Sequence, residues 1–177
     1  MKGNGNDGRG NIPERDLWET DTNLWNILNE QYGFDFDCCA SEKNSKCERW
    51  SEDFVSIKEL EHSTAWMNPP FSISKKMFTH FFNVVNEGVA IYRCDNMETY
   101  VWQEIILPRA TWIFIPKGRV SYETYETGDM RGGKGSRFPS ALIGIKVEPP
   151  RGLSGVVLFP EHEMQKQEFQ EEGGLEE

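Results

Sequence analysis

The sequence predicts an α/β fold: a mainly parallel sheet with antiparallel strands added late at its edge. Two observations lead there. Segments of strand and helix character alternate through the first two-thirds of the chain, and strands dominate after that. The 177 residues suit a single hydrophobic core.

Residues 1–13 are rich in Gly and Asn and are expected to be disordered. A folded domain is expected over 14–160, and a solvated acidic tail over 161–177. "NLWNILNEQYG" sets Leu24, Trp25, Ile27 and Leu28 on one helical face, with Gly33 as the stop. "FDFDCCA" reads as a short strand, and the polar run from Ser41 to Phe54 as a loop. "TAWM" is a strand that ends at a double proline. "SISKKMFTHFFNVVNEG" spaces Ile73, Met77, Phe78, Phe81, Phe82 and Val85 as a helix does. Ser72 or Ser74 is its expected cap and Gly88 its end. "VAIYR" is a strand. "METYVWQEIIL" is a helix with Val101, Ile105 and Tyr100 inward, stopped by Pro108. "ATWIFIP", "GRVSYE", "FPSALIGIKV" and "SGVVLFP" read as strands, and the Gly-rich stretch from Thr124 to Arg137 as a loop.

Hydrophobic residues make up 37% and charged residues 27% of the chain, the balance of a soluble globular protein. No apolar run is long enough to span a bilayer, and the N-terminus lacks the apolar core of a signal peptide. A cytoplasmic location is the expectation. The net charge of −10 argues at first against a nucleic-acid partner. The tail from Glu161 carries −6 of it, with seven Glu and one Lys, which leaves −4 for the rest. Lys117, Arg119, Arg131, Lys134, Arg137 and Lys146 crowd one segment, so a local basic face can coexist with an acidic total. The four Cys and three His follow no metal-ligand spacing, and no metal is expected.

The stretch "AWMNPPFS" carries the chemistry. Neither proline offers a backbone donor, and both fix φ. Together they hold an amide on one side and a flat ring on the other, between a strand and an amphipathic helix. In a planar amine the nitrogen lone pair is delocalised, so it is a poor nucleophile. Two acceptors aimed at its two N–H bonds draw it toward a tetrahedral shape. The Asn68 side-chain oxygen and the Pro69 carbonyl are such a pair. Phe71 can stack on the planar substrate and stabilise positive charge through its π face. The competing reading is a rigid turn that packs an aromatic ring on the core.

"NPPF" resembles the (D/N/S)PP(Y/F/W) motif of amino-group methyltransferases that use S-adenosylmethionine. The longer set "DLWET…LWNILNEQYGFDFDCCASEKNSKCERW…WMNPPFS…FIPKGRVSYE…FPSALIGI" is similar to the small phage-type DNA adenine (Dam-like) methyltransferases, from about Asp16 to Ile145. That resemblance implies a Rossmann-like methyltransferase fold with helices on both faces. It implies methyl transfer from S-adenosylmethionine to N6 of an adenine flipped out of double-stranded DNA, in the cytoplasm of a host cell if the gene is a phage's. Restriction-modification is the associated biology. Asn68, Pro69, Pro70 and Phe71 would hold the base. Trp18, Thr20, Asp37, Ala40, Asn44 and Asp53 would meet the donor. Lys117, Arg119, Arg131, Lys134 and Arg137 would face DNA, since so short a chain is expected to lack a separate target-recognition domain.

Other roles stay open for several of these residues. Thr20 could instead cap the following helix, Asp37 could end a strand, and Asn44 could close a turn. Trp18 could be core, and Lys117 and Arg119 could merely solvate a hairpin. The family's Thr-Pro is Thr20-Asp21 here, and "YRCDNMETYVW" departs from its usual wording. Two alternatives remain at this stage: a protein glutamine methyltransferase, whose target is also a planar amide, and a non-catalytic relative that binds DNA or donor.

Overall fold

The computed structural model describes residue 16, residues 18–124 and residues 138–162. The expectations for 1–13, for the loop over 125–137 and for the tail beyond 162 lie outside these residues. The strands are β1 (Trp18–Thr20), β2 (Phe36–Asp37), β3 (Arg49–Trp50), β4 (Leu60–Met67), β5 (Val85–Arg93), β6 (Trp112–Pro116), β7 (Tyr122–Thr124), β8 (Ser140–Ile145) and β9 (Gly155–Leu158). The helices are α1 (Thr22–Tyr32), α2 (Ser74–Val84) and a π-helical segment, Val101–Ile106.

Seven strands form one sheet in the order β3-β2-β4-β5-β8-β6-β9. From β3 to β5 the pairings are parallel. β8 pairs antiparallel with both β5 and β6, so β6 points the same way as β5, and β9 reverses again. The sheet is thus mainly parallel, as expected, but only β9 of the two reversed strands lies at an edge. β8 sits inside because all six of its residues are buried, the pattern of an internal strand. "GRVSYE" yields only β7, which leaves the main sheet and pairs with β1.

Side chains alternate across the sheet with period two. Ala65, Met67, Ala90, Tyr92 and Ile113 enter one core, while Trp66, Val89, Ile91, Trp112 and Phe114 enter another. Phe78 and Phe81 of α2, with Trp102, cover the first core. Leu28 of α1 covers the second. Helices therefore lie on both faces.

Helix ends follow local chemistry. The Asp21 carboxylate accepts from Leu24 N at 3.1 Å, so Asp21 is the cap of α1, and Thr20 is not. A cap of this kind stabilises by about 1 kcal/mol. Gly33 ends α1 at φ 61°, donating its N–H to the Asn29 carbonyl. α2 is shorter than its spacing suggests: it stops at Val84 and passes directly into β5. Gly88 is no helix stop. It lies in β5, where a Cβ would come within 2.6 Å of the Ala65 carbonyl oxygen. Neither serine caps α2. Ser74 instead hydrogen-bonds the Tyr92 hydroxyl at 2.9 Å, and Ser72 donates to Asp16. Tyr100 does not face inward: it is 59% exposed at the start of the π-helical segment, with the Lys75 ammonium 4.3 Å from its ring centroid.

Candidate active site

Because β2, β4, β5 and β6 point the same way, their carboxyl ends share one edge of the sheet. Ligands of open α/β sheets sit at such edges. Asn68 leaves β4 there. Its Nδ2 donates to the Trp18 carbonyl at 2.7 Å. A carbonyl can only accept, so this bond sets the orientation of the amide and leaves Oδ1 without a duty to Trp18. The Pro70 carbonyl accepts from Ile73 N at 3.3 Å, whereas the Pro69 carbonyl has no donor among the described residues. Two acceptors thus stand ready on a backbone whose φ angles are fixed.

Phe71 makes T-shaped contacts with three rings. Its centroid lies 6.3 Å from Trp18, 6.0 Å from Tyr92 and 5.4 Å from Phe138, at interplanar angles of 82°, 69° and 78°. Trp18 stacks on Phe138 at 5.6 Å. The Ser72 contacts with Asp16 brace the turn that follows Phe71.

Two hollows adjoin Pro70, and Asn68 lines the smaller of them. The smaller, about 30 Å³, is walled by Trp18, Thr20, Asp37, Asn44, Lys46 and Asn68, among others. The larger is a cleft of about 430 Å³ lined in part by Ala40, Asn44, Asp53, Phe54, Pro70 and Met77. They share Cys39, Asn44 and Pro70 in their walls. All ten residues expected at the base or the donor, apart from Pro69 and Phe71, line one or both.

Asp37 is 4% exposed at the end of β2. Its oxygens accept from the Cys39 and Lys46 amides, each at 3.2 Å. Burial nonetheless pushes its carboxyl above the usual range, with those two bonds and the Lys46 charge opposing. Thr20 is 1% exposed, and its hydroxyl has no partner among the described residues. The Trp18 indole N–H is likewise buried and unpartnered among them. Asn44 does close a turn: its Oδ1 accepts from Ser41 N at 2.7 Å and from Ser41 Oγ at 3.0 Å. Asp53 is exposed at the cleft rim.

Lys117 and Arg119 are exposed on the turn that follows β6, at the same sheet edge as Asn68. Arg119 lies close enough to Asp95, past the end of β5, to help lower that carboxyl, although the Arg93 hydrogen bond does most of this. Arg131, Lys134 and Arg137 lie outside the described residues.

The residues that sequence reasoning missed are Asp16, Tyr92, Phe138, Glu19 and Lys46. Tyr92 and Phe138 had a usable signal, being aromatic residues at strand ends on the Asn68 edge. Asp16 reaches across 56 positions to Ser72, and no local pattern announces that. No helix among the described residues is long and apolar enough to cross a membrane.

A family model described as DNA N-6-adenine-methyltransferase (Dam) matches residues 9–162. No curated protein matches the chain.

Proposed function

Since the chain belongs to the DNA N-6-adenine-methyltransferase (Dam) family, we propose that it transfers a methyl group from S-adenosylmethionine to the N6 amine of an adenine flipped from duplex DNA. The observation that carries this reading is the bond from Asn68 Nδ2 to the Trp18 carbonyl, 2.7 Å long. It leaves Oδ1 as an acceptor one residue before the Pro69 carbonyl, which has no donor among the described residues.

The residues present fit the donor. A cleft of about 430 Å³ is ample for a small ligand. The buried Thr20 hydroxyl has no partner among the described residues, and a ligand can supply one. Trp18, Thr20, Asp37 and Asn44 would hold its amino-acid end, and Ala40 and Asp53 its nucleoside end. When bound, the donor supplies an electrophilic methyl group on a sulfonium.

The chain's own residues prepare the nucleophile. Asn68 Oδ1 and the Pro69 carbonyl accept from the two N–H bonds of the amine and restore lone-pair density to its nitrogen. Positive charge then grows on that nitrogen, and the same two acceptors stabilise it. Phe71 offers its face to the flipped base, and its three ring neighbours keep it from turning away. No base is required until the methyl has moved. Lys117 and Arg119, with Arg131, Lys134 and Arg137, would neutralise phosphates, so affinity would fall as salt rises. Extruding the base costs a few kcal/mol.

Thr20→Val tests the donor site. It keeps the shape and removes a hydroxyl that is buried and has no partner among the described residues. Donor affinity measured by calorimetry is expected to fall roughly tenfold. The melting temperature of the free protein should stay level or rise, because an orphaned group is gone. Unchanged donor affinity would remove Thr20 from the site. If the unaltered protein binds no donor at all, the non-catalytic DNA-binding reading takes its place.

A further inference from the structure

Three charged groups in the smaller pocket, Asp16, Glu19 and Lys46, have no part in the function proposed above, and Lys46 is the cation among them. Lys46 comes from the loop after β2, and its Nζ lies 3.8 Å from Glu19 Oε2, with both side chains only 15% exposed. That separation is long for a charge-assisted hydrogen bond, so the ammonium keeps donor capacity. Lys46 is anchored by its own backbone, whose N–H donates to Asp37 Oδ2. The pocket wall thus carries one cation and three carboxylates: Glu19 and Asp37 lie near Lys46, and Asp16 is engaged by Ser72. The Asn68 amide and the Thr20 hydroxyl, which has no partner among the described residues, line the same wall.

This set complements an α-amino acid zwitterion. A carboxylate needs a cation and a hydroxyl donor, which Lys46 and Thr20 provide. An ammonium needs anionic acceptors, which Glu19 and Asp37 provide. The walls shared with the larger cleft let one ligand place an amino-acid end here and a flat ring system there. We propose that Lys46 is a ligand-binding residue that takes the carboxylate of the donor's amino-acid end, while Glu19 and Asp37 face its ammonium. The proposal rests on the donor-binding reading above and adds the residue that selects for the zwitterion. The competing account is structural: Lys46 merely ties its loop to Glu19 of β1.

Two ligands separate these accounts. S-adenosylhomocysteine carries the amino-acid end, and 5′-methylthioadenosine has the same nucleoside and thioether without it. Calorimetry on the full chain compares the unaltered protein with Lys46→Met and Lys46→Arg, and thermal melts check that each is folded. Lys46→Met is expected to weaken S-adenosylhomocysteine roughly ten- to hundredfold, leave 5′-methylthioadenosine unchanged, and be largely rescued in Lys46→Arg. Equal losses for both ligands, or no loss for either, would overturn the proposal. If the unaltered protein methylates DNA while Lys46→Met binds both ligands normally, only the Lys46 assignment falls. If the unaltered protein binds neither ligand, the donor reading falls with it.

Discussion

Asn68→Ala should lower methyl transfer at least about a hundredfold, with donor binding and cooperative unfolding retained. A preorganised acceptor of this kind typically contributes a hundred- to a thousandfold in rate. The substitution removes Oδ1 and also the donor to the Trp18 carbonyl. The second loss costs about 1 kcal/mol of stability, too little to unfold the domain. Asn68→Asp makes a sharper comparison. It restores an acceptor but has no N–H for Trp18, so it should recover part of the rate while the Trp18 segment loosens. Transfer from labelled donor to duplex DNA, measured beside a urea melt, reads both effects. A fully active Asn68→Ala would remove the amide from the chemistry.

Gly144→Ala is expected to destabilise the protein more than any single polar change considered above. A Cβ at Gly144 would lie 2.1 Å from Trp112 Cε2 and 2.3 Å from Cζ2. Gly144 of β8 is the direct partner of Trp112 in β6, so the two backbones cannot separate without opening the sheet. Nor can the indole swing aside, since it is fully buried and its N–H donates to the Val147 carbonyl. Overpacking of this kind costs about 1–3 kcal/mol, and more where neither partner can yield. The midpoint of urea unfolding should fall accordingly. Because β8 also pairs with β5, whose end flanks the site, activity at elevated temperature should fail first. An unchanged midpoint would mean that the indole has another place to go.

Much of the fold was legible where a local rule decides. Gly33 ends α1 because an αL turn there suits glycine, and the alternation in "VAIYR" and "ATWIFIP" divides the two cores as period two requires. The failures came where a distant partner decides. Val85 to Gly88 continue the helical spacing of α2, yet pairing with β4 draws them into β5. "WET" has no strand signature of its own and becomes β1 only because β7 lies beside it. The Asn68 segment does follow a strand, β4, as the double proline after "TAWM" suggests. Lys46 and Asp16 were silent, because a charged residue in a polar loop looks the same whether it faces solvent or a pocket. Thr20 needed the structure for a different reason. Threonine and aspartate both cap helices, and only the Leu24 bond shows that Asp21 holds that place and leaves Thr20 to the pocket.

The proposed methyl acceptor is the exocyclic amine of an adenine in DNA. The most direct measurement incubates the protein with duplex DNA of mixed sequence and labelled S-adenosylmethionine. The DNA is then digested to nucleosides, and each is identified by mass. The account predicts label in N6-methyldeoxyadenosine, lost in Asn68→Ala. Label on cytosine, or on glutamine side chains of added protein with none in DNA, would contradict it.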